Sequence, residues 1–193
     1  MTYLNTRDVA AIAICGALWG VLNALFAPIF FAATGMPFLC DAIGFALLIL
    51  AVWWIRKPGA VTIVGLIATP INLALGGGIQ FLGFAIASIF FDLVVSVIGY
   101  QRSFKTPAYT ITSMMPVSIA SAGVAGATIA AVFMTGVPVL AKWGGIAGWA
   151  GLHMIGGVIG GAIGTTLVLA LKKRRVAIHG ESPNQHETEN DTK

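Results

Sequence analysis

The chain has 193 residues, 58% of them apolar and only 9% charged, far below the roughly 25% charged residues of a soluble globular domain. Four of its seven acidic residues, Glu181, Glu187, Glu189 and Asp191, lie near the C-terminus, which leaves about 170 residues nearly free of charge. This excludes a soluble catalytic domain and points to an all-α integral membrane protein with room for about six helical spans. The net charge of +4 sits in short clusters between apolar runs, where membrane topology accounts for it, so nucleic acid is not an expected partner. Two cysteines, Cys15 and Cys40, offer no disulfide framework.

Six apolar runs are expected as transmembrane helices. The first, 8–31, is too long for a signal-peptide core. Its small residues Ala13, Gly16, Ala17, Gly20 and Ala24 recur at a spacing that lets two backbones approach closely in lipid. They read either as packing inside the bundle or as a face on which a partner membrane protein docks. Asn23 and Phe26 fall near the far end of this helix. The second, 38–55, carries Asp41 in its first turn and ends in Trp53 and Trp54, read as part of an interfacial aromatic belt. The third, 59–75, follows Lys57-Pro58-Gly59 and is expected to be interrupted at Pro70. It carries Asn72 and stops at Gly76-Gly77-Gly78. The fourth, 79–99, opens with Gln80 and holds Asp92 in its second half. The fifth, 111–135, has Ser118, Ala122, Gly126 and Ala130 on one face, and the sixth, 146–171, has Gly156, Gly160 and Gly164 beside Gly157 and Gly161. Both stripes read as packing surfaces within the bundle. Residues 176–193 are polar, without an apolar face, and read as a disordered cytoplasmic tail.

Orientation follows from the basic residues. Arg7, Arg56, Lys57, Arg102, Lys105 and Lys172 through Arg175 fall on one side of this arrangement, and Lys142 alone on the other. The positive-inside rule then places both termini and the 2/3 and 4/5 connections in the cytoplasm.

Asp41 and Asp92 are the carboxylates left within the apolar core, where such groups usually face a cavity or a partner. Asp41 reads as a ligand contact or as a structural group at a helix end. Asp92 reads as a buried relay or a packing residue. Trp149 and His153 are four apart and share a helix face. With Lys142, Trp143, Asn23, Asn72 and Gln80 they enrich the outer ends in groups that suit a flat heteroaromatic ligand. Taken singly, His153 is equally a hydrogen-bonded packing residue and Trp143 a member of the belt. The sequence has no Gly-rich phosphate loop, no helical His pair, no Cys/His cluster and no nucleophile elbow. ATP hydrolysis by the chain itself, a metal centre, a cofactor and intramembrane catalysis are therefore not expected.

Gly16-Ala-Leu-Trp-Gly20, the turn Arg56-Lys-Pro-Gly-Ala60 and the segment Phe91-Asp92-Leu-Val-Val-Ser-Val-Ile-Gly-Tyr100 carry a resemblance to the substrate-binding S components of energy-coupling factor (ECF) transporters. Residues 5–175 resemble that group in size and layout, most of all its hydroxymethylpyrimidine/thiamine-type members. The resemblance implies a high-affinity subunit that binds a vitamin or precursor outside. It would dock through Ala13, Gly16, Ala17 and Gly20 onto a transmembrane coupling protein with two ATPase subunits, and deliver the ligand inward. Asp41, Asn72, Gln80, Trp149, His153 and Asn23 are the expected substrate-binding residues. Two departures stand out: the chain has Gly65 and Asp92 where the pyrimidine-type members tend to carry glutamates. The rival expectations are an autonomous channel or proton-coupled carrier, using Asp41 and Asp92 as relay groups, and a purely structural membrane protein.

Overall fold

A computed structural model describes residues 3–174 of the chain, so the 176–193 tail lies outside the described residues. Within them the fold is helical throughout, with no β-strand. The helices are α1 (Thr6–Thr34), α2 (Phe38–Ile55), α3 (Ala60–Ala74), α4 (Leu82–Ile98), α5 (Pro107–Thr128), the short α6 (Pro138–Lys142) and α7 (Gly145–Lys173). Among the described residues, α1, α2, α4, α5 and α7, counted with the irregular turns adjoining α4 and α5, are long and apolar enough to cross a membrane. α3 is equally apolar but only 15 residues long.

Local chemistry sets the boundaries. α1 starts two residues earlier than expected because Asn5 and Asp8 form a reciprocal cap. The Asn5 side chain accepts from Asp8 N at 2.9 Å, and Asp8 Oδ2 accepts from Asn5 N at 3.0 Å. Gly35, at φ 71°, closes its other end. α5 begins four residues early because Thr106 caps it and Pro107 takes the first helical position. Pro70 does not interrupt α3, which runs unbroken through it to Ala74, and Pro28 and Pro116 likewise lie inside α1 and α5. Tertiary contacts of neighbouring helices allow such prolines within apolar bundles. The expected fifth helix does change character, ending in a π-helical turn over Ile129–Phe133 before the chain reaches α6.

The principal helices close a ring in the order α1, α2, α7, α5, α4, α3 and back to α1. Glycines set its tightest contacts. A Cβ on Gly160 would come within 2.7 Å of the Asp41 carbonyl oxygen, and one on Gly157 within 2.8 Å of the Ser118 carbonyl oxygen. The two α7 stripes thus face α2 and α5 respectively, which is internal packing. Trp19, Phe45, Phe91 and Trp53 fill the interior. Trp53 is therefore a core residue, whereas Trp54 is partly exposed. The tandem pair divides because adjacent helical positions point to different faces. Outward-facing Ile14, Leu18, Leu66, Leu93, Val97 and Leu167 leave an apolar exterior, as a lipid-embedded bundle requires.

One end of the bundle gathers the basic connections. Lys57 Nζ meets Asp8 Oδ2 at 2.6 Å and the Tyr3 carbonyl oxygen at 2.8 Å. Arg56 donates to Gln101 Oε1 at 2.9 Å and lies over the Phe104 ring, and Lys172 Nζ donates to the Phe104 carbonyl oxygen at 2.6 Å. These contacts hold the start of α1, the α2/α3 and α4/α5 connections and the end of α7 together.

Candidate ligand-binding site

At the opposite end, a cavity of about 390 Å³ opens between α1, α3, α4 and α7, with the start of α2, the π-helical turn after α5 and the short α6 completing its walls. Its size lies in the range of small-molecule sites. Five of the residues expected to bind substrate, Asn23, Asn72, Gln80, Trp149 and His153, line it together. They reach it from four separate parts of the chain. Asn23 projects from the middle of α1 and donates from Nδ2 to the Cys40 carbonyl oxygen at 3.3 Å. Asn72, in the last turn of α3, donates to the Gly20 carbonyl oxygen at 3.4 Å. Its side-chain oxygen sits where a Cβ on Gly77 would fall, within 1.9 Å. Glycine at 77 therefore lets the triglycine turn pack against this amide. Gln80 stands in the turn leading into α4 and remains exposed.

Trp149 and His153 come from the second and third turns of α7. Their rings lie 5.8 Å apart with planes at 64°. Phe84 is 5.8 Å from His153, and Phe31 is 6.2 Å from Trp149. These are the offset and edge-on arrangements that aromatic quadrupoles favour. The walls are otherwise apolar, with Phe81, Phe133, Met134 and Ile129 prominent. Sequence reading did not single out these residues or Phe31 and Phe84. Ile129 and Phe133 belong to the π-helical turn, a device frequent at functional sites.

Asp41 is not part of the cavity wall. It lies directly behind His153, whose Nδ1 is 2.9 Å from Oδ2 and 3.1 Å from Oδ1. Both residues are almost wholly buried. His153 Nε2 and Trp149 Nε1 are buried without any hydrogen-bond partner, although both side chains line the cavity. Phe26 points to the exterior. Lys142 and Trp143, outside the cavity lining, pair with each other, the ammonium 5.7 Å from the ring centroid.

Asp92 lies away from this site. Its Oδ2 accepts from Thr62 N at 2.9 Å and from Thr62 Oγ1 at 2.8 Å, while Tyr100 Oη donates to its Oδ1. Burial and this bond hold the Tyr100 phenol above its ordinary value. Gly65, the other departure from the pyrimidine-type pattern, is closely covered, and a Cβ there would come within 2.0 Å of Ser88 Oγ.

The small-residue face of α1 divides. Gly16 and Gly20 are buried against Ile67, Ala68 and Ile71 of α3. Ala13 is exposed and Ala17 half-buried. In this arrangement the glycines belong to the α1–α3 contact and only the two alanines remain for an outward face.

Among the described residues no group of three metal-ligating side chains converges. The fold and site define a helical, multi-pass membrane protein with one end of its bundle hollowed by an aromatic cavity. Compared with known proteins, the chain matches no family model, no curated protein and no solved structure.

Proposed function

We propose that the chain is the substrate-specific membrane subunit of an ECF-type vitamin importer. It binds a small heteroaromatic vitamin or precursor, of the thiamine or hydroxymethylpyrimidine kind, at the extracellular side of the plasma membrane. Delivery inward depends on a transmembrane coupling protein and two ATPase subunits. In this reading six helices span the bilayer, with α3 as the short sixth span. Both termini and the basic end face the cytoplasm, and the cavity opens outside.

The observation that carries the reading is the aromatic cavity at the end away from the basic connections, with Asn23, Asn72, Gln80, Trp149 and His153 around it. Apolar walls with a few aimed polar groups suit a flat, polar-edged molecule. The rival proton relay finds little support. Asp92 already accepts from Thr62 and Tyr100. Phe91, the neighbour of Asp92 along α4, stacks on Phe45 within the buried apolar core.

Purification of the tagged full-length chain from its native membrane tests the proposal. Co-purifying ATPase and coupling subunits, with a heteroaromatic small molecule detected by mass spectrometry, are the expected outcome. Uptake into liposomes by this chain alone, without ATP, would overturn it in favour of a carrier.

A further inference from the structure

The cavity contains an arrangement that specifies its occupant more closely. Asp41 sits in the first turn of α2, where the helix N-terminus favours a carboxylate. Its side-chain partner is His153, reached across the α2–α7 contact with Nδ1 at 3.1 Å from Oδ1. The imidazole is fixed on its other sides too. Phe84 and Trp149 each lie with ring centroids 5.8 Å away, and Gly126 of α5 lies so close that a Cβ there would come within 2.7 Å of His153 Cδ2. Neither rotation nor a ring flip is free.

We infer that Asp41 is a positioning residue, acting on the ligand only through His153. With Asp41 ionised, its carboxylate can only accept, so its bond places a hydrogen on Nδ1 and leaves Nε2 of the neutral ring as an acceptor on a side chain that lines the cavity. Trp149 supplies the complementary group, since an indole nitrogen can only donate. Both nitrogens are buried and unpartnered, a costly condition that an occupant relieves. The ligand class that matches is a flat ring bearing, on one side, an acceptor for Trp149 Nε1–H and an N–H or O–H donor for His153 Nε2. A ring amide has this character. An aromatic ring with acceptors alone leaves His153 unsatisfied, and a purely hydrocarbon ring leaves both unsatisfied.

This assignment rests on the cavity being a ligand site, as proposed above, but not on the import cycle. Two measurements on the purified full-length chain in nanodiscs test it. Nitrogen NMR of ¹⁵N-histidine-labelled protein, with the His153 signals identified by their loss in His153→Gln, should show a protonated Nδ1 and a bare Nε2. Asp41→Asn keeps the side-chain shape but can also donate to Nδ1, and should shift the proton toward Nε2. A protonated Nε2 in the wild type, or an unchanged pattern in Asp41→Asn, overturns the positioning role.

The second measurement uses 2-pyridone, which carries both a donor and an acceptor, against N-methyl-2-pyridone, which lacks the donor, with binding read by saturation-transfer NMR. The wild type should prefer 2-pyridone by about tenfold, and Asp41→Asn should lose most of that preference. Equal binding of the two, or no binding of 2-pyridone, overturns the ligand class. Failure to recover ATPase and coupling subunits would count against the importer and leave both of these measurements standing.

Discussion

Asp92 on α4 closes the N-terminus of α3 from outside, its Oδ2 accepting both the backbone N–H and the hydroxyl of Thr62. Gly59, at the head of that helix, has no side chain to do so. Asp92 thus performs for α3 the service that an N-cap residue performs locally. It also ties Tyr100 of the α4/α5 connection to the same point. Asp92→Ala leaves the part-buried backbone N–H and hydroxyl of Thr62 without their acceptor and leaves the Tyr100 phenol only the backbone carbonyl oxygen of residue 92, at 3.4 Å, at a cost of about 1–3 kcal/mol. Thr62→Val keeps the backbone donor and should cost less. Thermal unfolding in detergent measures both. Ligand affinity should be unchanged in Asp92→Ala, and a wild-type melting temperature would contradict the capping role.

The α2–α7 contact makes a second prediction. A Cβ on Gly156 would lie 2.6 Å from the Asp41 side chain, and one on Gly160 would lie 2.7 Å from the Asp41 carbonyl oxygen. Gly160→Val therefore has to separate the helices. Overpacking of this kind costs about 1–3 kcal/mol or more. Gly151→Ala on the same helix meets nothing within 4 Å and should be neutral or mildly stabilising, through the better helix propensity of alanine. Equal melting temperatures for the two variants would show that the glycines are not contact residues.

The helical class and the approximate helix ranges were legible because apolar runs of spanning length leave few alternatives. The ends were less so, since Asn5 and Thr106 act as caps through bonds that hydropathy does not register. Trp149 and His153 could be paired from their spacing alone. Their neighbours Phe31, Phe84 and Phe133 could not, because they meet only when α1, α4 and the π-helical turn converge. The same limit applies to Asp41. Its place near the start of α2 could be read from Pro37 and Phe38, but whether it lines the cavity or stands behind another side chain depends on how α2 packs on α7. Gly16 and Gly20 show it again, since small residues at a spacing of four suit an inner and an outer face equally.

Topology can be tested with single cysteines in a Cys15→Ser, Cys40→Ser background, which removes the thiol on the cavity wall. Lys142 and Lys105 are both exposed, at opposite ends of the bundle. Lys142→Cys should react with a membrane-impermeant maleimide in intact cells. Lys105→Cys should react only after permeabilisation. The reverse pattern would put the cavity in the cytoplasm and remove the basis for import.

The division of the α1 face changes how partner docking must be tested. Gly16 and Gly20 cannot be enlarged without parting α1 from α3, so loss of uptake in such variants reports only a damaged fold. Ala13 is exposed and Ala17 half-buried, and neither lines the cavity. The double variant Ala13→Leu, Ala17→Leu adds apolar bulk to a surface already carrying Ile14 and Leu18, which lipid accommodates. A close helix–helix approach does not, because small residues are what allow it. In cells the double variant should lose ATP-driven uptake and co-purify with much less coupling protein. The isolated subunit should bind ligand as the wild type does and melt at the same temperature. Parallel loss of uptake and binding would mean that the alanines serve the cavity or the fold. Unchanged uptake would mean that the partner docks elsewhere.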